Sequence, residues 1–409
     1  MGTILSKLYR ENIGDDPRMQ EAVFDVSYPT GFLTLDFLNG SLVKVKTTKQ
    51  SYYSIGIVDG SCVTYIGRPG CGKTSLAIQQ GSNIIRPFPR ACMFYDDIEG
   101  GSNGNRRSIL SGFGDDEIRE RIIYRNSGIT SENFFERISQ IYELKMENRK
   151  DYLYDTGLLD PEGNPIFKFE PTVYILDSLA MLTPDKLTDE EKLSGQMSAS
   201  SLAKTNTQIY KRMIPKLKAA NIILLVINHI NDSIDLSLFQ KKRALTGWLK
   251  QDETLPGGKA AIYLTNNMFR LEDNTKLKET EGMGIYGTIV DVAIVKSRTN
   301  ASGRSIPLVF DAYSGFDPEL SLLVFLKSIG EINGKGYMYM VDYPDLKFTQ
   351  KGFKEKLANP EFAEAFTSTC LAKIKELIRT SALDDEEEET KTPKVDCTAS
   401  IMSKISMAA

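Results

Sequence analysis

Gly67–Thr74, GRPGCGKT, follows the apolar run CVTYI (Cys62–Ile66) and precedes SLAIQQGSNII (Ser75–Ile85). Glycines at 67, 70 and 72 and the closing Lys73-Thr74 make the pattern G-x-x-x-x-G-K-[ST], in the strand–loop–helix setting that gives it a mechanism. Glycine lets the backbone curl until its N–H groups converge on phosphate oxygens. The helix start adds about half a positive charge at the same point. Gly67, Arg68, Pro69, Gly70, Cys71, Gly72, Lys73, Thr74 and Ser75 are therefore expected to cradle the phosphates of ATP. Lys73 should reach the β- and γ-phosphates and Thr74 should ligate Mg2+.

Outward from this loop, short β-rich runs alternate with helical segments: ACMFYD, RIIYRN, TVYILD, IILLVI and IVDVAIVK, between Ser61 and about Phe310. Such runs imply an α/β protein whose mainly parallel, twisted sheet is covered on both faces. TVYILDS (Thr172–Ser178) ends a buried strand in Asp177, which is placed to hold the magnesium shell. ACMFYDDIEGG (Ala91–Gly101) ends in three carboxylates, of which Glu99 or Asp97 is expected to orient the attacking water. The plainer alternative for that stretch is a set of carboxylates capping a helix. NIILLVINHIND (Asn221–Asp232) carries the only histidine, His229, at the end of an apolar run. Three strand ends thus point to one edge of the sheet, where open α/β sheets bind ligands.

The 409 residues carry 41% hydrophobic and 25% charged side chains, as a globular protein does. No apolar run approaches the ~20 residues that span a bilayer, and no signal-peptide pattern opens the chain, so a cytoplasmic location without membrane contact is expected. MGTILS fits the myristoylation pattern, but a short helix from Ile4 is the preferred reading of that segment. The five cysteines form no paired or ligand-like cluster and suit reduced thiols. DDEEEE (Asp384–Glu389) holds six of the negative charges; without it the net charge of −4 becomes +2. A nearly neutral body confines any nucleic-acid contact to local loops. VKVKTTKQSYYSIGIV (Val43–Val58) reads as a hairpin, and the segment 145–171 as an insertion of two short strands about a turn.

The order of these parts and the text around them resemble the RecA recombinase family, including its UvsX-like phage members. VYILDSLAMLTP (Val173–Pro184) looks like the family's Walker B strand and its continuation. LLVINHIN (Leu224–Asn231) resembles its strand ending in Asn-Gln or Asn-His, and LPGGKA (Leu255–Ala260) the segment closing its second DNA loop. VKSRT (Val295–Thr299) and PTGFLTLDFLNG (Pro29–Gly40) match in order, so the similarity runs from about Tyr28 to about Leu357.

The resemblance implies a RecA-like P-loop ATPase core at 28–315 and a polymerisation helix and linker at 1–27, the helix spanning Thr3–Tyr9. A small α+β C-terminal domain at 316–380 and an acidic, disordered tail at 381–409 follow. It makes His229 the γ-phosphate sensor, expected two strands from the phosphate loop, whose nucleotide contact orders the adjoining DNA loop; a satisfied histidine at a strand end is the plainer alternative. It gives Lys296 and Arg298 to the ATP of a neighbouring subunit in a helical homo-oligomer. By resemblance to related eukaryotic proteins, Arg106 is expected to stack on adenine.

DNA contacts are implied for a loop at about 185–200, with Gly195, Gln196 and Met197, and a second at about 231–258. In the second, Lys241, Lys242 and Arg243 are flanked by Phe239 and Trp248, and Gly257, Gly258 and Lys259 close it. There cations would neutralise phosphates while aromatic side chains stack on bases. Asp232–Lys259 holds five basic and four acidic residues, so this loop is patterned rather than uniformly basic. The implied activity is DNA-dependent ATP hydrolysis coupled to filament formation on single-stranded DNA, pairing with duplex and strand exchange. Single-strand-binding and loader proteins are the implied further partners. An ungapped overlay puts Ile98, not Glu99, at the water-orienting position. A RecA-fold hexameric helicase and an ATP-binding filament or mediator protein with little hydrolysis remain the alternatives.

Overall fold

The computed structural model describes residues 25–45, 50–159, 164–185, 195–232, 249–250, 253–256, 262–263, 265–278, 285–375 and 377. A nine-stranded sheet forms the centre. Its strands, in chain order, are β1 (Cys62–Gly67), β2 (Met93–Asp97), β3 (Ile122–Arg125), β4 (Thr172–Asp177), β5 (Ile222–His229), β6 (Asn267–Lys278), β7 (Ile285–Lys296), β8 (Ser305–Asp311) and β9 (Gly315–Asp317). Across the sheet they run β9-β8-β7-β6-β1-β5-β4-β2-β3. From β6 to β3 every neighbouring pair is parallel, and from β6 to β9 every pair is antiparallel.

Why the strands read as continuous apolar runs follows from the two faces they cover. On β4 and β5, Val173, Ile175, Ile223, Leu225 and Ile227 point to one side, where they meet Leu76, Ala77 and Ile78 of helix α1 (Lys73–Ile85). Tyr174, Leu176, Leu224 and Val226 point to the other, against Phe134, Ile138 and Ile141 of α3 (Ser131–Glu147), beyond the short helix α2 (Gly104–Ser111). Helix α4 (Gly195–Ala219) completes that second face through Ile209, Tyr210, Met213 and Leu217. Burying both faces requires a helix layer on each side, so no polar alternation survives in these strands. The apolar residues of β5 are each no more than 1% exposed, whereas His229 at its end is half-buried.

After β9, helix α5 (Pro318–Ser328), a three-stranded sheet and helix α6 (Pro360–Lys375) fold back on the core. Phe325, Phe348, Phe353, Phe362 and Phe366 join the same hydrophobic cluster as Val63 and Leu76. Both expected hairpins are present, Ser41–Val45 with Gln50–Ser54 and Leu153–Leu159 with Pro165–Phe169. The second begins later than 145, because α3 continues to Glu147 through a stretch of good helix formers. The segment expected to be a loop at 185–200 is helical from Gly195, so Gly195, Gln196 and Met197 lie in the first turn of α4. The run QMSASSLAK contains no helix breaker, which explains the early start.

Among the described residues no helix is long and apolar enough to cross a membrane. Cys62, Cys71, Cys92 and Cys370 are free thiols. The Thr3–Tyr9 helix, the acidic tail, and Phe239, Lys241, Lys242, Arg243, Trp248, Gly257, Gly258 and Lys259 lie outside the described residues.

Candidate nucleotide site

The phosphate loop turns between β1 and α1. Gly70 and Gly72 adopt φ of +86° and +83°, a left-handed conformation that side chains with a Cβ rarely take. Gly72 is the N-cap of α1, so the first N–H groups of the helix open into the loop. A Cβ on Gly70 would meet nothing within 4 Å, which leaves that side of the cradle open. Lys73 is 5% exposed, and its Nζ donates to the carbonyls of Gly67 and Arg68 at 3.0 and 2.8 Å. Its ammonium is thereby aimed back over the loop. The loop borders a recess of about 280 Å³ lined by Pro69, Gly70, Gly72, Lys73, Thr74, Ser75, Glu99, Asp177, Ile227, His229 and Phe310.

Three strand ends meet at this recess, in an order the sequence did not disclose. His229 is the register partner of Gly67, so β5 lies directly beside the phosphate-loop strand and the imidazole is one strand away, not two. Strand β4 comes next and β2 beyond it. Thr74 donates its hydroxyl to Asp177 Oδ2 at 2.7 Å. Past the end of β2 the chain bends over β4: the Ile98 and Glu99 amides donate to the Asp177 carbonyl at 2.6 and 3.4 Å. This bend carries Glu99 to the recess, while Ile98 packs into the cluster beneath α3 and α4.

The choice between Asp97 and Glu99 is decided by their partners. Asp97 is 1% exposed and accepts from the Gly100 amide, the Ser102 amide and the Tyr124 hydroxyl at 2.9, 2.9 and 3.0 Å. It holds the turn. Asp96 is fully buried between Arg125 and Arg137, each at 2.6 Å. Glu99 alone of the three faces the recess, where Oε1 accepts from the Ser178 hydroxyl at 2.5 Å and lies 2.5 Å from His229 Nε2. Burial works to raise the Glu99 carboxyl, but the hydrogen bonds from Ser178 and His229 outweigh it and hold it below the usual range. It is therefore a carboxylate at neutral pH.

Asp177 is displaced the other way. Burial, helped by the nearby Glu99 and Asp97 charges and opposed by the Thr74 hydrogen bond, pushes it up to about 6. The Thr74 hydroxyl and the Asp177 carboxylate form an oxygen pair of the kind that suits a hard divalent cation such as Mg2+ beside phosphate oxygens. Among the described residues no group of three or more His, Cys, Asp or Glu could hold a metal ion unaided. Thr74 and Asp177 would thus share the cation with phosphate oxygens. The Nδ1 of His229 is buried without a hydrogen-bond partner, a second group with capacity to spare for a ligand.

Arg106, on α2, donates through Nη2 to the Ser75 hydroxyl at 3.3 Å and through Nη1 to the Tyr313 carbonyl. Tyr313 is 74% exposed. Sequence reasoning missed Ser178, Tyr313 and Phe310. Ser178 stood inside a quoted motif, but nothing in the order of residues said that its hydroxyl meets Glu99. Phe310 and Tyr313 come from the antiparallel flank, more than two hundred residues along the chain.

Lys296 and Arg298 are not at this recess. Lys296 pairs with Met268, itself the partner of Thr64, and the chain then runs on away from the phosphate loop. Lys296 Nζ donates to the carbonyls of Ile262, Tyr263 and Thr265 at 2.7–2.8 Å. Burial, with the Arg298 charge beside it, lowers its ammonium to about 8. Arg298 Nη2 donates to the Tyr263 carbonyl at 3.1 Å. The two cations thus sit toward the opposite end of the sheet and cannot serve the phosphate loop of their own chain.

No protein-family model matches the chain, and no curated protein matches it.

Proposed function

We propose that this protein is a RecA-like, DNA-dependent ATPase that forms helical filaments on single-stranded DNA and catalyses homologous pairing and strand exchange. The observation that carries the reading is the convergence of Lys73, the Thr74–Asp177 pair and the Glu99–His229 pair on one recess, from which β5 leads straight into the neck of the 231–258 segment. A metal-dependent phosphohydrolase needs the first three features. The fourth ties the phosphate end of the site to the segment that carries Phe239, Lys241, Lys242, Arg243 and Trp248.

The chain's residues divide the chemistry among them. Backbone N–H groups of 70–75 and the Lys73 ammonium gather the phosphate charge. Thr74 and Asp177 would hold Mg2+, which when bound would supply charge neutralisation at the phosphates. Glu99, ionised and fixed by Ser178, orients the attacking water and draws on its proton. His229 is close enough to Glu99 to exchange that partner for a phosphate oxygen, so the end of β5 responds to the nucleotide. The exposed Tyr313 ring, with Arg106 beside it, offers a face for the base. Lys296 and Arg298, remote from their own recess, are suited to supply charge to the site of a neighbouring copy, as an arginine finger does. A head-to-tail contact of that kind builds a helix when it does not close.

Steady-state ATPase measured with and without single-stranded DNA tests the reading. The wild type should be stimulated by DNA, and Glu99→Gln should lose about 10²–10³ in kcat while retaining nucleotide. Hydrolysis unaffected by Glu99→Gln refutes the assignment. Absence of hydrolysis with retained filaments selects the mediator alternative, and closed rings in electron micrographs the helicase.

A further inference from the structure

The segment that follows β5 leaves and returns through a short neck. Asn231 pairs with Thr254 and Asp232 with Glu253 in an antiparallel ribbon. Three contacts stiffen it. Glu253 accepts from Nη1 and Nη2 of Arg270, at 2.8 and 2.9 Å, with the Glu253 and Arg270 side chains only 1% and 8% exposed. The buried Asn228 amide donates to the Pro256 carbonyl at 2.9 Å. Lys250 N donates to Glu253 Oε2 at 2.9 Å. A buried, bidentate ion pair has one geometry, so the ribbon is held as a unit.

One side chain of the phosphate loop reaches this unit. Arg68 Nη2 lies 2.7 Å from Asp232 Oδ1, with the two side chains 60% and 64% exposed. The Ile230 amide also donates to the Gly67 carbonyl at 3.2 Å, which keeps the neck and the loop adjacent. We infer that the Arg68–Asp232 ion pair is a coupling link, separate from His229, through which the phosphate loop sets the position of the neck and of the segment it carries. The inference rests on the nucleotide reading of the recess.

The physical reason is a competition between anions. Arg68 stands at the mouth of a loop whose backbone gathers negative oxygens. A polyphosphate there offers its guanidinium more charge than one carboxylate does, and in the planar geometry that arginine prefers. The pair with Asp232 is exposed and hence weak enough to be exchanged. With Arg68 on Asp232 the neck is tethered to the loop; with Arg68 drawn to phosphate the tether is released. Arg270 and Asn228 anchor Glu253 and Pro256 to the central sheet, so release of Arg68 acts on the outgoing strand at Asn231–Asp232. Linkage makes the effect reciprocal: a ligand that moves the neck changes nucleotide affinity by the same factor.

The only tryptophan of the chain, Trp248, lies between the two strands of the neck in sequence, so intrinsic emission reports on the segment without a label. The experiment titrates the full-length protein with a slowly hydrolysed ATP analogue and Mg2+, while equilibrium dialysis follows nucleotide binding separately. Each variant is compared at saturating nucleotide. Asp232→Asn should lower the nucleotide-dependent change in Trp248 emission and reduce the nucleotide-dependent gain in oligo(dT) affinity by about two- to fivefold. Arg68→Lys, which keeps a cation that phosphate can draw away, should retain more of the response than Arg68→Gln, and the Asp232 effect should shrink at high salt. A full emission response in Asp232→Asn, or an Arg68→Lys response no better than that of Arg68→Gln, overturns the link. Nucleotide bound by the wild type with a silent Trp248 overturns it too and leaves the site reading standing. No nucleotide binding at all defeats both.

Discussion

Replacing Gly72 and Gly70 separately by alanine tests how the phosphate loop is seated. Both residues have the same left-handed backbone, φ +83° and +86°, so each substitution incurs the ~1–2 kcal/mol that an L-residue loses there. Their surroundings differ. A Cβ on Gly70 meets nothing within 4 Å, whereas one on Gly72 falls 2.8 Å from two ring carbons of Phe316 and 3.2 Å from Phe310. Phe316 is 2% exposed and is packed against Phe310 and Phe32, with ring centroids 4.8 and 6.3 Å away, so it cannot retreat. Overpacking a site of this kind costs about 1–3 kcal/mol more. Gly72→Ala should therefore lose about 2–5 kcal/mol in urea unfolding and Gly70→Ala about 1–2 kcal/mol. Nucleotide binding, read by fluorescence of a labelled ATP, should fall further in the first variant because the loop must shift. Phe316→Leu should restore part of the stability of Gly72→Ala and none of that of Gly70→Ala. Equal losses at the two positions, or no relief from Phe316→Leu, would refute the packing argument.

Other outcomes follow from the same contacts. Lys145 is 3% exposed, and burial lowers its ammonium to about 7. Between about pH 7 and 10 the unfolded chain then binds more protons than the folded one, so stability rises across that window and is lost as pH falls to about 7. Lys145→Met should reduce that slope in denaturant midpoints, with Lys296, its ammonium lowered to about 8, supplying part of what remains; an unchanged slope contradicts the assignment. Mixing a Lys73→Ala protein with a Lys296→Ala/Arg298→Ala protein should recover part of the ATPase that each lacks; no recovery argues against a shared site between copies. Changing Lys241, Lys242 and Arg243 together to alanine should remove most single-strand affinity at moderate salt and lower its salt dependence, as loss of phosphate contacts requires. Undiminished binding by fluorescence anisotropy excludes that segment.

Much of the site was legible because it is local. Gly67–Thr74 needs only neighbours in sequence to define its turn, and the runs ending in Asp177 and His229 are apolar over their full length. Glu99 was legible only in part: its side-chain direction depends on the bend over β4, which the Asp177 carbonyl creates from eighty residues away. The Gly195–Met197 stretch was expected to be loop because the resemblance implied a DNA loop there, yet α4 begins at Gly195, in a run that contains no helix breaker.

Periodicity and motif spacing alone were enough to establish an α/β chain with a glycine-rich turn between a strand and a helix and a set of strand-end carboxylates, since these properties depend on side-chain type and on contacts within a few residues. Strand order was a different matter. That β5 lies between β1 and β4, that Glu99 meets His229, and that Phe310 and Phe316 support Gly72 all result from burial of whole faces by distant segments. Many strand permutations satisfy the same apolar pattern, and only the packed sheet selects the one that brings Lys73, Asp177, Glu99 and His229 to a single recess.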